Sequence, residues 1–408
     1  MTKKKLTKFA KATKKFQGKK LGQLRNQKNK PRIDPLWTIE DGVTYSLLSQ
    51  FLNCRNRFHI NKVQGWTAKR ISLPLEFGNV FHLMAEAQDR GIPDEQLMKI
   101  ATNYVGRKIE EQSLDTETIK ELSMMAAVAT VTFEQYVAYW QQNPCFQINN
   151  KWYYEKDFQW IGKEENFDVD YLLPNGRKVR LRGKQDGKFQ IAKGQKGNWL
   201  FETKTKGNID ADGITAGLHK DMQTGLYLTA MALQQHGTLP EGVLYNVIRR
   251  TQLKPRVADT PKMFAERVET DIMKRPEFYF MRWTRSIDAG ELRDFRDRQL
   301  NPTLYQIVRW WDSIKHHPMK PWTTPKKCKA CDGKKKTCRI CGGDGEVMVS
   351  NMEHYERAFG HYDSMAFSQR GDFFEIVAHD NYFNYEQQKY IFPELEEEDE
   401  LTQYLVGV

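Results

Sequence analysis

Long apolar runs are absent from the 408-residue sequence. No segment approaches the roughly 20 consecutive apolar residues that a membrane-spanning helix needs, and the basic start is not followed by the apolar core of a signal peptide. We therefore expect a cytoplasmic protein without a membrane partner. Repeats of solenoid length are also absent, which argues against a repeat architecture. The hydrophobic content of 39% is enough for a sizeable core and for two or three structural units.

Cysteine is scarce, and its distribution is uneven. Cys54 and Cys145 stand apart, whereas the other four cysteines follow the pattern C-x₂-C-x₆-C-x₂-C, at Cys328, Cys331, Cys338 and Cys341. This distribution is unlike the framework of a disulfide-rich secreted protein. Four thiolates on two tight turns suit a tetrahedral ion, and the nearby glycines allow the backbone to turn toward the sulfurs. The pattern predicts a metal-binding knuckle, with structural Zn²⁺ as the first choice.

Acidic residues are absent from residues 1–33, which carry thirteen Lys or Arg and few apolar side chains. Such a segment cannot bury enough surface to offset its ordering entropy, so we expect a disordered basic arm. The other end inverts the charge, with six Asp or Glu within 394–400, and we expect a second flexible tail from there onward that offers a surface to a protein partner. The net charge of +11 favours an anionic partner, of which nucleic acid is the commonest.

The segment most informative about chemistry is a pair of predicted strands at 178–190 and 199–206. In Glu202-Thr203-Lys204 the first and third side chains share one face of a strand, so a carboxylate and an ammonium belong to one site. Asp186, on the neighbouring strand of the hairpin, brings a second carboxylate to the same place. Two carboxylates supply the hard oxygen donors that Mg²⁺ and Mn²⁺ prefer, so the pattern predicts a site for one of these ions next to the phosphate of a substrate. In such a site Lys204 would orient the water that attacks the phosphate or neutralise the charge that develops on it.

Periodicity along the rest of the chain predicts mainly helices before these strands and a mixture after them. Gln223 and Tyr227 lie at i and i+4 on the helix that follows the strands, so they share a face and could line a groove. The predicted helices span 44–48, 77–86, 94–142, 214–235 and 289–314, and the remaining predicted strands span 151–160, 167–173 and 242–249, with a turn at Pro174-Asn175-Gly176.

Five short motifs follow one another along the chain. They are the serine-bearing helix start at 46–49 with Cys54-Arg55-Asn56-Arg57, then Gly78-Asn79-Val80-Phe81-His82, Gly183-Lys184-Gln185-Asp186, Glu202-Thr203-Lys204 and Gln223-Thr224-Gly225-Leu226-Tyr227. Each motif alone is common, whereas the ordered set of five is specific. In this order the motifs resemble the RecB-like branch of the PD-(D/E)xK nucleases, which includes CRISPR adaptation nucleases and phage exonucleases. The stretch 266–282 also looks like phage members.

The resemblance implies an α/β fold: a restriction-endonuclease-like core with a mixed central sheet flanked by helices, a helical N-terminal lobe and the small four-cysteine knuckle. It also implies a metal-dependent DNA nuclease, an exonuclease acting in phage or bacterial DNA recombination, repair or replication. It further implies that Gln223 and Tyr227 contact DNA in the groove. The implied ligands of the catalytic ion are His82, Asp186, Glu202 and the backbone carbonyl of Thr203.

The resemblance adds a second candidate for the cysteine metal. Many members of this branch hold a [4Fe–4S] cluster through one early and three late cysteines, and Cys54 stands where the early one falls. This cluster would leave one thiol of the knuckle unused. Zn²⁺ on the four late cysteines therefore stays the first choice and the cluster its alternative.

Two other classes of function fit parts of the sequence. A nuclease fold that has lost turnover would serve as a DNA-binding subunit or adaptor, but the intact Asp186, Glu202 and Lys204 argue against it. A zinc-ribbon binding module for nucleic acid, or of the chaperone type, would leave the motifs between 43 and 227 unexplained. RNA is an alternative substrate, since the chemistry does not require a particular sugar.

These observations divide the chain into five expected units. They are a disordered basic arm (1–35), a helical lobe with the His motif (36–150), the nuclease core with its C-terminal helices (151–323), the cysteine knuckle (324–347) and a C-terminal extension with the acidic tail (348–408).

Overall fold

The computed structural model describes residues 35–350 with seven short gaps, together with 385–387, Leu401 and Tyr404. The predicted basic arm, apart from residue 35, and the acidic run 394–400 lie outside the described residues, so their expected properties stay predictions. The gaps are 69–70, 113, 192–194, 236, 316–322, 335–336 and 342.

Several of the helices begin where a polar side chain caps them. The side chain of Thr44 accepts a hydrogen bond from the backbone N–H of Leu47, and Asp115 does the same for the N–H of Thr118. Such caps satisfy donors that the first helical turn leaves without an intrahelical partner. Of the helices in the described ranges, none is both long and apolar enough to cross a membrane. The helices are α1 (Tyr45–Asn53), α2 (Arg55–Phe58), α3 (Leu73–Asp89), α4 (Asp94–Glu111), α5 (Thr116–Gln142), α6 (Ala211–Gly217), α7 (Met222–Gln234), α8 (Pro261–Lys274), α9 (Pro276–Tyr279), α10 (Ala289–Phe295) and α11 (Asn301–Ile314).

The strands form one central sheet and three short pairs. They are β1 (Trp66–Ala68), β2 (Phe146–Ile148), β3 (Lys151–Tyr153), β4 (Phe158–Leu172), β5 (Lys178–Ile191), β6 (Gln195–Lys206), β7 (Gly242–Arg249), β8 (Phe280–Ser286), β9 (Thr323–Lys327), β10 (Glu346–Ser350) and β11 (Tyr385–Gln387). The central sheet has the order β4-β5-β6-β7-β8, in which β6 and β7 are parallel and the other neighbours antiparallel. The parallel pair requires a crossover, which α6 and α7 provide.

The central sheet is the middle layer of the molecule. Leu200 and Val243 pack in one hydrophobic cluster with residues of α1, α7 and α11, whereas Phe201 and Leu244 pack in another with residues of α3, α5 and α8. Successive residues of a strand point to opposite faces, so both faces of the sheet are covered by helices. All residues of β7 are buried for this reason. The predicted α/β fold, a mixed sheet flanked by helices with a helical N-terminal part, is confirmed.

The crossover and the last strand differ from the sequence predictions. The single helix expected over 214–235 is two helices, because Asp221 ends the first segment and caps the second by accepting a hydrogen bond from the N–H of Thr224. The stretch 266–282, which sequence reasoning described only through its resemblance, forms part of α8, all of α9 and the start of the edge strand β8.

The chain near its C-terminus packs against the helical lobe. Leu401 and Tyr404 are buried in the cluster that contains α4, and the side-chain amide of Asn103 donates to the backbone carbonyl of Tyr404 at 2.8 Å. Strand β11 also returns to pair with β1. The prediction of a flexible tail is therefore wrong for Leu401 and Tyr404. Burial of their apolar groups stabilises this contact with the helical lobe, although the residues before them are acidic.

Gly225 in α7 lies against the ring of Phe295 in α10. A Cβ atom added to Gly225 would be 2.4 Å from Cε2 of Phe295, which is closer than any relaxed contact. We expect Gly225→Ala to lower the free energy of unfolding by about 1–3 kcal/mol, because it overpacks the core. Denaturant titration measures this change.

Gly217 in α6 supplies the matched control, because an added Cβ there meets nothing within 4 Å. Gly217→Ala is expected to raise the free energy of unfolding, by at most about 1 kcal/mol, since alanine favours helix more than glycine does. Two variants with the same change in stability would contradict this account of Gly225.

Candidate active site and metal-binding knuckle

The hairpin of β5 and β6 brings Asp186 to the Glu202-Thr203-Lys204 segment. The two strands are antiparallel, and the backbone N–H of Thr203 donates to Oδ2 of Asp186 at 2.6 Å. This hydrogen bond leaves Oδ1 of Asp186 for other partners. Asp186 and the Glu202-Thr203-Lys204 segment are thus neighbours on adjacent strands, as the predicted hairpin requires.

Glu202 and Lys204 form an ion pair, in which the Lys204 ammonium donates to Oε1 of Glu202. Glu202 is fully buried, and its Oε2 has no hydrogen-bond partner within the described part of the chain. Burial raises the pKa of Glu202 to about 8, which Lys204 only partly offsets. Burial lowers the pKa of Lys204, but Glu202 and Asp186 outweigh it and raise that pKa overall. A buried oxygen without a partner is costly, so a cation beside Oε2 would stabilise the ionised form of Glu202.

Helix α3 brings His82 to the same site. Its Nδ1 lies 3.9 Å from Oδ1 of Asp186 and 3.4 Å from Oε1 of Glu164 on β4. Burial lowers the pKa of His82, but the carboxylates of Asp186 and Glu164 outweigh it and raise the pKa to about 9. His82 therefore lies next to two carboxylates, and one of them is Asp186, with which it is expected to share a metal ion.

Glu164 is the site residue that sequence reasoning missed. Its Oε2 lies 3.1 Å from the ammonium of Lys184, which also lies 3.1 Å from Oε2 of Glu86 on α3. Burial raises the pKa of Glu164, but hydrogen bonds and charges from His82 and Lys184 outweigh it and lower the pKa overall. No motif marks Glu164, which is one of two successive glutamates on a half-exposed strand. Only the register of β4 against β5 could have indicated its position.

The structure places three potential ligands of a divalent ion together. One ligand atom each of His82, Glu164 and Asp186 lies within 4.8 Å of the other two. Two carboxylates suit hard ions such as Mg²⁺ and Mn²⁺, and the imidazole adds a nitrogen donor. Among the described residues Glu202 is not in this group, since its Oε1 faces Lys204. The expected set of His82, Asp186 and Glu202 is thus only partly gathered around one point.

The two residues expected in the DNA groove lie beside the site on α7. The amide nitrogen of Gln223 donates to the Tyr227 hydroxyl at 3.2 Å, and the Tyr227 ring packs edge-on against Phe167 with centroids 5.4 Å apart. Tyr227 is only 7% exposed. Burial, with the charges of Glu202 and Asp186, raises its pKa. Packing accounts for most of the Tyr227 side chain, and its expected contact with DNA stays a prediction.

A buried polar network supports β6 from the side of β7 and β8. The side-chain amide of Asn246 donates to Oγ1 of Thr203 at 3.1 Å and to the hydroxyl of Tyr136 at 3.0 Å. The guanidinium of Arg282 donates to Oδ1 of Asn246 at 3.0 Å and pairs with Glu155 at 2.5 Å. Thr203 is therefore held from both sides, by Asp186 through its backbone and by Asn246 through its hydroxyl. Sequence reasoning missed this network, which links strands distant in the chain.

The four clustered cysteines lie together, as their spacing predicts. All four sulfurs lie within 4.8 Å of one another, with 3.9 Å between Cys328 and Cys338 and 3.6 Å between Cys331 and Cys341. This arrangement suits one tetrahedral ion. Hydrogen bonds from the backbone N–H groups of Cys341 and Ile340 lower the pKa of the Cys338 thiol, which favours its thiolate. Burial instead raises the pKa of the Cys328 thiol to about 11, so this thiolate depends on a bound metal.

The backbone of the knuckle depends on glycine. Gly333 and Gly345 have φ of 74° and 76°, in the left-handed region that favours glycine. The N–H of Cys328 donates to the carbonyl of Gly345 at 2.8 Å, so the turns are held beside the β9–β10 pair. Cys54 is not one of the gathered sulfurs, and the N–H of Arg57 donates to it at 3.4 Å. The described residues thus assemble the four-cysteine site rather than the alternative site through Cys54.

Comparison with known proteins agrees with this geometry. A family model described as the PD-(D/E)XK nuclease superfamily matches residues 43–341, which is more than half of the chain. The match includes the hairpin of Asp186, Glu202 and Lys204 and ends at Cys341, the last of the four clustered cysteines. No curated protein matched the sequence. On the extent of the family match and the mixed sheet that carries these motifs, the chain belongs to the PD-(D/E)XK nuclease superfamily.

Proposed function

We propose that this protein is a divalent-metal-dependent deoxyribonuclease that hydrolyses phosphodiester bonds. Membership of the superfamily suggests metal-dependent nuclease activity and a DNA substrate. The observation that carries the proposal is the meeting of Asp186, Glu202 and Lys204 with His82 in one site. The net charge of +11 agrees with a nucleic-acid partner.

The residues of the site fit a hard divalent ion, for which we propose Mg²⁺ or Mn²⁺. The proposed ligands are His82, Asp186, Glu202 and the backbone carbonyl of Thr203. Two observations support the fit: Oε2 of Glu202 is buried without a hydrogen-bond partner in the described ranges, and Oδ1 of Asp186 faces His82. When bound, such an ion polarises the scissile phosphate and neutralises charge on its oxygens.

The protein groups around the ion each have a separate task. The Thr203 N–H holds one oxygen of Asp186, which orients the other toward His82. The Lys204 ammonium, kept protonated by the carboxylates beside it, stabilises the negative charge that develops on the phosphate as water attacks. Asn246, on the neighbouring strand β7, donates to the Thr203 hydroxyl and so helps to position the segment between Glu202 and Lys204.

The finer part of the proposal is an exonuclease of the RecB-like, phage type that acts in DNA recombination, repair or replication, in the cytoplasm of a bacterium or of a phage-infected cell. The ordered motifs from 46–49 to Tyr227 support this assignment. For the knuckle we propose structural Zn²⁺, which the mutual distances of the four sulfurs support.

Cleavage of linear and circular DNA of one sequence tests the proposal. The purified protein is incubated with end-labelled linear duplex and with covalently closed circles, with Mg²⁺ or Mn²⁺ and with EDTA as the control. We expect the linear DNA to be degraded from its ends and the circles to persist. Cleavage of the closed circles would show that the protein is an endonuclease rather than an exonuclease. DNA binding without any cleavage would refute the nuclease and leave a DNA-binding protein.

The basic arm is expected to contribute affinity without sequence information. Deleting residues 1–33 should weaken DNA binding and reduce its salt dependence, because fewer counterions are released when fewer Lys and Arg contact phosphate. Fluorescence anisotropy between about 50 and 200 mM salt measures the slope. An arm of the same composition in scrambled order is the control and should restore the slope. An unchanged slope after deletion would show that the arm does not contact DNA.

A further inference from the structure

We propose that Glu164 is a direct ligand of the catalytic divalent cation, together with His82 and Asp186. This role rests on the proposed nuclease function and adds a residue that the E-x-K motif does not contain. The Nδ1 atom of His82 lies 3.4 Å from Oε1 of Glu164 and 3.9 Å from Oδ1 of Asp186. Three donors from α3, β4 and β5 therefore converge on one point.

The register of the sheet explains why Glu164 meets Asp186. Lys163 pairs with Gly187 and Glu165 pairs with Gln185, so Glu164 stands opposite Asp186 on the neighbouring strand. Like charges directly opposite each other on two strands destabilise a sheet. Two partly buried carboxylates in this position are stabilised by positive charge between them, and a divalent cation supplies more of it than a protonated imidazole.

The backbone at Glu164 supports a role in binding. Its φ is 49°, in the left-handed region that non-glycine residues adopt at a cost of roughly 1–2 kcal/mol. The register of β4 against β5 also shifts just before it, between Trp160 and Gly162. Such irregularities in strands often re-aim a side chain beside an active site. The strained backbone occurs at the residue whose carboxylate contacts His82, which is consistent with a functional role for this side chain.

The contacts of Glu164 divide its two oxygens between two tasks. Oε2 lies 3.1 Å from the Lys184 ammonium, which is also 3.1 Å from Glu86. Oε1 faces His82. Lys184 thus positions the carboxylate and leaves one oxygen for the cation. If Glu164 served only as the partner of Lys184, neither the left-handed backbone nor the convergence with His82 would be needed.

Direct measurement of Mn²⁺ binding tests the role without relying on cleavage. Isothermal titration with Mn²⁺ is carried out on the full chain, loaded with its knuckle metal, as wild type, Glu164→Gln and Glu165→Gln. Glu165 is the matched control, since it is the next residue and undergoes the same change, but its side chain is 46% exposed and pairs with Lys188. We expect Glu164→Gln to weaken Mn²⁺ binding by more than about a hundredfold, beyond the usual cost of losing a group that only positions a ligand, and Glu165→Gln to leave it unchanged.

Further variants separate ligation from folding. Glu164→Asp keeps the charge but shortens the side chain, so it is expected to weaken Mn²⁺ binding with a melting temperature near that of the wild type. Mn²⁺ affinity equal to the wild type in a folded Glu164→Gln or Glu164→Asp protein would overturn the proposal. A wild type that binds Mn²⁺ but cleaves no DNA would instead overturn the nuclease function and leave the ligand role standing. A wild type that binds no Mn²⁺ would overturn the ligand role.

Discussion

Substituting Glu202 by Gln is expected to reduce the rate of DNA cleavage by about a hundredfold to a thousandfold, the usual cost of removing one electrostatic group from a preorganised site. The change keeps the shape of a fully buried side chain but removes the charge that pairs with Lys204 and that we propose as a ligand of the cation. DNA affinity should change little, because it comes mainly from many phosphate contacts of Lys and Arg. Single-turnover cleavage at saturating Mn²⁺ measures the first effect and anisotropy the second.

Lys204→Gln should have an effect of similar size. It leaves the buried Glu202 without its ion-pair partner, and it removes the positive charge that is proposed to stabilise the scissile phosphate. Lys178→Gln is the matched control: Lys178 is an exposed residue at the start of β5, where it pairs with Asp170 of β4. Cleavage by either Glu202→Gln or Lys204→Gln at nearly the wild-type rate would show that the E-x-K segment is not the active centre.

Sequence reasoning could place Asp186, Glu202 and Lys204 together because the rules involved are local. The alternation of side chains in a strand puts Glu202 and Lys204 on one face, and a hairpin brings Asp186 from the neighbouring strand. Glu164 could not be found in this way. Its position depends on the register of β4 against β5 and on one residue with φ of 49°, neither of which leaves a pattern in the sequence.

The same distinction applies to the fold. The strand β7 was predictable because its continuous apolar run indicates burial on both faces. The strand β8 was not, since at the sheet edge its residues are mostly half-buried and include Arg282 and Arg285. The Arg282 side chain is nevertheless almost fully buried, because its Nε donates to Asn246 and its Nη2 donates to Tyr136 and Glu155. Tertiary partners of this kind override the preference of a charged side chain for solvent.

Substituting Cys331 by Ser is expected to abolish metal binding at the knuckle and to unfold it locally. Each sulfur completes one tetrahedral site, and structural Zn²⁺ contributes on the order of 10 kcal/mol to the folding of small zinc domains. The four cysteines form a cluster of their own, joined only by the partly buried Val347, so the described residues give the knuckle no larger core to replace the ion. Zinc content per chain and proteolysis within 323–350 measure the two losses.

The identity of the metal is decided by two further variants and by colour. With zinc on the four gathered sulfurs, Cys54→Ser and Cys145→Ser should both keep about one zinc per chain, and the protein should be colourless because Zn²⁺ is d¹⁰. A [4Fe–4S] cluster would make anaerobically purified protein brown and would be lost with Cys54→Ser. Iron and sulfide that disappear in this variant would overturn the zinc assignment, and a wild type without any metal would show that the four sulfurs meet without binding an ion.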